Sequence, residues 1–353
     1  MHTPDPCGPL SRVVLTHLRS GAGAVVSSRG ATQLRRLVDR VVEPLHDRDF
    51  QLALACCYEL HYRGFDDVDD DLEWHPTTLA LVAPLESALE SALRAEVPRP
   101  VAGAADVPAT LRTLVDSDVG PEGDSELGGD VEPGSAPSVS GFLLRHADDR
   151  HYRDFLVQRS VYHLKEADPH TWVIPRLTGA AKAALVEIQA DEYGGGRPAA
   201  MHSNLFAATM RGLGLDDRYG AYWSEATAET FLTVNLMTLF GLHRRHRGAA
   251  LGHLAALEMT STRPNGRYGN GLRRLGHDAA TTAYFDEHVE ADAVHEQLAS
   301  VDMCGSFALA EPDLSGEVLW GAACCLAADR LAGAALLSAW GVGPATRRAA
   351  EVA

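Results

Sequence analysis

Apolar residues recur at every third or fourth position along most of this chain, which is the period of an amphipathic α-helix. Period-two alternation is not sustained and β-branched residues are sparse, so we expect an all-α bundle. The predicted helices cover 32–45, 49–61, 76–95, 148–166, 174–193, 199–211, 224–244, 246–260, 276–300 and 316–341.

One segment, residues 116–141, breaks this pattern. It is rich in Asp, Glu, Gly, Pro and Ser and has no basic residue, so it cannot bury enough apolar surface to order itself. We expect a flexible acidic loop that separates an N-terminal helical extension, 1–115, from a larger helical domain, 142–353. Prolines and glycines predict shorter turns at Pro169, 212–214, Pro264 and Pro312.

Composition narrows the function classes. The 353 residues carry a net charge of −17 without any Lys/Arg-rich run, which argues against nucleic acids and anionic membranes as partners. The first residues do not resemble a signal peptide, and the apolar stretch 318–342 is interrupted by Asp329 and Arg330, so it reads as a buried helix. The six cysteines form neither a zinc pattern nor a disulfide framework, which favours reduced thiols in the cytoplasm.

The strongest chemical signal lies on the predicted helix 276–300. His288, Asp292 and His295 fall within an arc of about 60° on a helix of 3.6 residues per turn. Two imidazoles and a carboxylate on one stripe form a metal-binding face. A solvated charged helix would explain the neighbouring glutamates, but it does not require two histidines flanking an aspartate.

A second segment places Glu192 and His202 on either side of a helix break at 194–198, which contains three glycines and a proline. The break indicates a bent helix that carries ligands, or a plain turn between two helices. Asp191 and Glu187 are alternatives to Glu192, but helical geometry turns both of them to other directions.

A third segment contributes Glu166, which ends a predicted helix just before Pro169. A carboxylate at a helix C-terminus opposes the helix dipole, and a bound cation would compensate it, as would Lys165 or solvent. The three segments together offer three carboxylates and three imidazoles, the ligand set of a two-metal site in a helical bundle. Mixed nitrogen and oxygen ligation suits iron or manganese.

These residues resemble the haem-oxygenase-like diiron oxidases and oxygenases, the iron-containing redox enzymes. The family motif is a glutamate, then Glu-x9-His, then His-x3-Asp-x2-His, and the match covers about 142–345. The resemblance implies a seven-helix haem-oxygenase-like bundle without haem. It implies two Fe(II) ions that react with O2 to give a peroxo-diferric species. The metal ligands that it implies are Glu166, Glu192, His202, His288, Asp292 and His295.

The resemblance also implies a tailoring reaction on a small molecule in natural-product biosynthesis, with an amino acid or a fatty acid as substrate. N-oxygenating relatives carry a further carboxylate three residues before the second-segment histidine, where this chain has Ala199. We therefore favour cleavage of an aliphatic C–H bond, by desaturation or C–C fragmentation, over N-oxygenation of an amino acid. The expected substrate carries a carboxylate, the electron donor is unidentified, and the N-terminal helices could form a homodimer contact.

Two other hypotheses need to be weighed. A cysteine-nucleophile hydrolase on a similar fold would use Cys304 or Cys57, although neither has an activating neighbour in the sequence. A non-enzymatic helical protein would leave the acids and histidines dispersed over its surface. The charged residues around 243–247 and Glu258 could orient ligands or bind substrate, but a solvated face or salt bridges between helices is the favoured interpretation.

Overall fold

A computed structural model describes residues 1–21, 28–119 and 138–342. Within the helices, the side chains of residues 28–29, 119 and 291–294 are outside this description. Most of the predicted acidic loop, 120–137, therefore lies outside the described residues, and so does the side chain of Asp292. The division of the chain at this loop stays a prediction.

The described residues form α-helices and short helical turns with no strand, so the predicted all-α fold is confirmed. The helices are α1 (Pro9–Arg19), α2 (Ser28–Val38), α3 (Arg48–Glu59), α4 (Pro76–Glu96), α5 (Val107–Val119), α6 (Val139–Arg145), α7 (Asp149–His163), α8 (Asp168–Thr171), α9 (Gly179–Glu192), α10 (His202–Gly212), α11 (Ala228–Leu242), α12 (Arg247–Arg274), α13 (Ala279–Gln297), α14 (Ser306–Ala310) and α15 (Ser315–Ala339). A π-helical stretch, Leu298–Gly305, continues α13.

Two apolar clusters hold the helices together. The larger one joins side chains of α3 and α4 to those of α11, α12 and α15, so the N-terminal helices and the later helices share a core. The smaller one joins α7, α10 and α13 through aromatic residues such as Phe155, Phe206 and Tyr284. The helices that carry the predicted ligands meet beside this smaller cluster.

Helix α12 corrects one prediction from the sequence. A turn was expected at Pro264, but the helix continues through this proline to Arg274. Tyr268 and Leu272 are buried beyond the proline, and Gly271 lies close against Tyr152 and the backbone of Leu143. Packing on both sides of Pro264 thus outweighs the loss of one helical hydrogen bond.

The segment Pro312–Ala339, which contains α15, is long and apolar enough to cross a membrane by length and composition, and 33% of its most apolar window is buried. A single such helix is weak evidence, because core helices of globular proteins have the same composition. Val318, Leu319 and Trp320 have no exposed surface, so the first half of α15 is a core helix here.

Candidate metal centre

The two histidines of the predicted stripe are both buried on α13, with 6% of His288 and 1% of His295 exposed. They are seven positions apart, a rise of about 10 Å along the helix, so they lie in different parts of the cluster. Asp292 lies on the helix between them, but its side chain is outside the described residues. Its role as a ligand stays a prediction.

Glu192 and His202 lie together at the predicted helix break. Glu192 is the last residue of α9 and His202 the first of α10, and the Glu192 Oε2 to His202 Nδ1 distance is 3.0 Å. The two other acids considered at this position are exposed. Glu187 has no contact with the cluster, whereas Asp191 was expected to face elsewhere and in fact reaches His295 Nε2 at 3.0 Å.

Glu166 follows α7 and is buried between α7 and α13. Its Oε1 accepts a hydrogen bond from the Tyr284 hydroxyl at 2.8 Å and lies 3.7 Å from His288 Nε2. Its Oε2 is buried and has no hydrogen-bond partner among the described residues. Burial opposes ionisation of this carboxyl, but the imidazoles of His163, His288 and His202 outweigh it and hold its pKa at about 2. A buried anionic oxygen without a hydrogen-bond partner is typical of a carboxylate that binds a metal ion.

The predicted ligands come together in two overlapping groups. The ligand atoms of the first group lie within 4.8 Å of one another, and so do those of the second. The first group is Glu166, Glu192, His202 and His288, and the second is Glu192, Glu258 and His295. Glu192 belongs to both, so its carboxylate could serve an ion in either group.

Glu258 is the member of the cluster that sequence reasoning left as a salt-bridge residue. It lies on α12 with 6% of its surface exposed, and its Oε2 is 3.2 Å from His295 Nδ1. A signal was present in the sequence, since Glu258 follows Leu254 and Ala255 at helical spacing and so shares their apolar face. Burial raises the pKa of Glu258 despite the neighbouring His295.

One histidine of α13 is oriented like a metal ligand, and the other lies among carboxylates that favour its protonated form. His288 Nδ1 donates a hydrogen bond to the Tyr284 carbonyl at 2.8 Å, so its Nε2 faces the cluster. Ligating histidines commonly hold their second nitrogen in this way. Burial lowers the pKa of His295, but Glu258, Asp191 and Glu192 outweigh it and raise that pKa to about 9. Buried carboxylates and imidazoles in this arrangement fit two iron ions without further ligand types.

Comparison with known proteins decides the family. The sequence profile of the iron-containing redox enzymes matches residues 153–330, half of the chain, and this region contains every predicted ligand. This chain belongs to the iron-containing redox enzyme family. The assignment confirms the predicted oxidoreductase class and the haem-oxygenase-like fold, and it removes the non-enzymatic hypothesis.

Within this family, the chain is similar to a nitrosourea synthase of Streptomyces achromogenes subsp. streptozoticus. The two sequences are 29% identical over 162 residues, which is 46% of this chain and 34% of the relative. The chain therefore spans about a third of the length of this curated relative. Redox chemistry that depends on iron is the activity that the family supports.

A cavity of about 1640 Å³ adjoins the cluster and is large enough for a small-molecule substrate. Glu166, Glu192, Glu258 and His288 line it, so the clustered carboxylates and this histidine face a substrate-sized space. Arg159, two helical turns before Glu166 on α7, adds a guanidinium to the same wall.

The cysteines do not support a thiol nucleophile. Cys57 and Cys304 are fully buried, and neither lines the cavity. Burial raises the pKa of both thiols, to about 12 for Cys57, so they stay protonated and unreactive.

The charged residues before α12 form salt bridges between helices, as the sequence interpretation favoured. Arg245 Nη2 forms a salt bridge with Glu90 Oε2 at 2.9 Å, and His243 Nε2 lies 2.8 Å from Glu86 Oε1. His246 Nε2 lies 3.3 Å from Glu90 Oε2, but burial lowers the pKa of His246 and favours its neutral form. These contacts join α4 to the start of α12 and leave both histidines outside the metal cluster.

Proposed function

We propose that this chain is a non-haem diiron, O2-dependent oxygenase that adds an oxygen atom to a nitrogen of a small molecule. The pair of buried ligand groups that share Glu192 supports the two-iron centre. The proposed ligands are Glu166, Glu192, His202 and His288 for one iron, and Glu192, Glu258, His295 and Asp292 for the other.

We favour oxidation of a nitrogen over cleavage of a C–H bond because of the number of carboxylates at the proposed centre. The preference for C–H cleavage came from the missing acid at Ala199, but this residue is exposed, so position 199 says little about the centre. Glu258 supplies a further buried carboxylate from α12. With Asp292 included, four carboxylates would balance the charge of two Fe(II) ions. The name of the nitrosourea synthase relative, which specifies a nitroso product, points to the same chemistry.

Bound iron would supply the reduction of O2 and the transfer of one oxygen atom. The overall reaction takes up O2, two electrons and two protons, turns an N–H bond into N–OH, and releases water, so it needs an external reductant. The protein holds the carboxylates in place around this chemistry. Tyr284 keeps its proton on the hydroxyl facing Glu166, and buried aromatic residues such as Phe206 exclude water from that side.

Arg159 is proposed to bind a carboxylate of the substrate. Among the described residues, its guanidinium has an ion pair at 3.7 Å with the exposed carboxylate of Asp329, and it lines the cavity. Arginine binds carboxylates in a two-pronged geometry. Arg159 precedes Glu166 by seven positions, and both side chains line the same cavity, so a substrate held by Arg159 would extend towards the centre.

The test begins with Fe(II) loading of the full chain without O2, followed by measurement of iron content. We expect two irons in the native chain, a large loss of both in Glu192→Gln, and loss of one in Glu258→Gln. Glu187→Gln, an exposed acid on the same helix as Glu192, is the matched control and should keep both irons. Two irons in Glu192→Gln would refute the proposed centre.

The reaction is tested by exposing the loaded chain to ¹⁸O2 with a chemical reductant and a panel of amino acids. Mass spectrometry should find a product heavier by one labelled oxygen, with the hydroxyl on nitrogen. A product lighter by two hydrogens would instead establish desaturation and return the C–H reaction to first place.

A further inference from the structure

Three uncharged polar side chains lie beside the proposed centre without belonging to it. His170, Gln189 and His253 are 2%, 4% and 2% exposed, and all three line the same cavity as the cluster. Nothing in the proposed metal centre uses them. Buried polar groups in native proteins nearly always have a partner, so three of them on one cavity wall need an explanation.

These side chains come from the same segments as the proposed carboxylate ligands. His170 follows Glu166 by four residues across a non-helical turn, and Gln189 precedes Glu192 by about one turn of α9. His253 is on α12, the helix that carries Glu258. The three segments that hold the centre thus also build a polar wall next to it.

Two atoms on this wall are unsatisfied. Gln189 Nε2 donates a hydrogen bond to the Ala167 carbonyl at 3.2 Å, which fixes the amide so that Oε1 is left as an acceptor. Within the described part of the chain, neither Gln189 Oε1 nor His170 Nδ1 has a hydrogen-bond partner. Both would gain from a ligand that reaches this wall.

His253 determines which nitrogen of His170 carries the proton. His170 Nε2 lies 3.3 Å from His253 Nδ1, and burial lowers the pKa of His170 to about 4 and lowers that of His253 as well. Both rings are then neutral, and one must donate to the other. When His253 Nδ1 donates, His170 carries its proton on Nδ1 and offers a donor in the same cavity that Gln189 lines.

We propose that His170 and Gln189, with His253 behind His170, form a subsite for a neutral carboxamide group of the substrate. An amide carbonyl would accept from His170 Nδ1, and an amide N–H would donate to Gln189 Oε1. A carboxylate has no donor for Gln189, and an ammonium has no acceptor for His170. As a substrate subsite, this inference rests on the proposed function.

The probe is acetamide, with acetate and methylammonium as charged analogues of the same size. Each is titrated into the full chain, metal-free and loaded with Fe(II) without O2, and binding is followed by ligand-observed NMR. We expect acetamide to bind and the two charged analogues to bind at least tenfold more weakly. Fe(II) should increase the relaxation of the acetamide methyl protons, because the subsite adjoins the centre.

The variants separate the two unsatisfied atoms from the fold. Gln189→Met removes the acceptor, and His170→Gln keeps a polar atom near His253 but removes the one at the Nδ1 position. Both should weaken acetamide binding at least fivefold. His170→Asn is the matched control, since its amide retains a polar atom near the Nδ1 position, and its affinity should stay within twofold. Thermal unfolding of each variant verifies that it is folded.

Equal acetamide affinity in the native chain, Gln189→Met and His170→Gln would overturn the subsite, as would acetate binding as tightly as acetamide. Iron content is measured on the same samples. A chain that binds acetamide in a His170-dependent way but takes up no iron would refute the diiron proposal and support the subsite. A chain that binds two irons but no acetamide would support the diiron proposal and refute the subsite.

Discussion

Tyr284 connects the carboxylate of Glu166 to helix α13. Its hydroxyl donates to Glu166 Oε1 at 2.8 Å, and its backbone carbonyl accepts from His288 Nδ1 at 2.8 Å. One residue therefore orients two proposed ligands of the same iron. Such supporting contacts fix the direction and basicity of the ligands that they touch.

Tyr284→Phe should weaken Fe(II) binding about tenfold, because Glu166 loses its fixed orientation while the packing of the ring is kept. Iron affinity is measured by anaerobic titration with a competing chelator. Tyr152→Phe is the control, since Tyr152 is also buried and donates to a backbone carbonyl, that of Tyr268, at 2.9 Å. Equal iron affinity in both variants would show that Tyr284 has no part in orienting Glu166.

Among single residues, the sequence spacing predicted those site residues whose partners are near in sequence or on the same helix face. Glu192 with His202, and His288 with His295, are examples, and the structure brings each pair into the cluster. Glu258 could not be assigned in this way, because its contact with His295 joins two helices across 37 residues. Local periodicity reports that Glu258 is on a buried face, but not which side chain it meets.

The turn between α9 and α10 is the element that brings Glu192 to His202. Gly194 has a φ of +66° there, and a Cβ on it would lie 2.5 Å from the Ala200 carbonyl carbon. Gly195 has a φ of +58° but would meet nothing within 4 Å. Both positions favour glycine for their backbone angle, whereas only Gly194 is needed for the close return of the chain.

Gly194→Ala should lower iron binding strongly, because the added methyl forces the turn open and separates Glu192 from His202. Gly195→Ala is the matched control. It should lose only about 1–2 kcal/mol of unfolding free energy, the strain of a left-handed alanine, and keep both irons. Iron content and denaturant unfolding measure the two effects. Similar iron content in the two alanine variants would contradict this role of Gly194.

Helix α12 is the element whose end was predicted wrongly from the sequence. Residues 246–260 had a clear helical period, but Pro264 ended the predicted helix, since proline removes a hydrogen bond and clashes with the preceding turn. The structure continues α12 because Tyr268 and Leu272 are buried after the proline. Contacts between distant segments decide such cases, and a local pattern does not contain them.

Across the whole molecule, a buried ion pair links the N-terminal helices to the centre. Lys165 Nζ lies 3.0 Å from Glu59 Oε2, with side chains that are 2% and 0% exposed. Tyr219 donates to the same oxygen at 2.6 Å. Glu59 ends α3, and Lys165 directly precedes Glu166. The position of a proposed ligand thus depends on a contact with the first part of the chain.

Glu59→Gln should destabilise the fold by about 3–5 kcal/mol, because it leaves the buried charge of Lys165 without its partner. The double variant Glu59→Gln/Lys165→Met should recover much of this loss. Denaturant unfolding measures both. Asp217→Asn, which breaks a more exposed pair with Arg211, is the control and should change stability by less than about 1 kcal/mol. A loss that small in Glu59→Gln would show that Lys165 is not held by this pair.

Iron itself should stabilise the whole molecule, because the proposed centre joins α9, α10, α12 and α13 around Glu192 and its partners. At free Fe(II) one hundred times the dissociation constant, one site adds about 2.7 kcal/mol to the free energy of unfolding. Anaerobic calorimetry should show a melting temperature about 4 °C higher for each bound Fe(II) than with a chelator. Mg²⁺, which prefers oxygen ligands, should give no shift. Glu192→Gln should lose this increase in melting temperature, and the control Glu187→Gln should keep it. Equal melting temperatures with Fe(II) and with chelator in the native chain would mean that these helices do not share a metal centre.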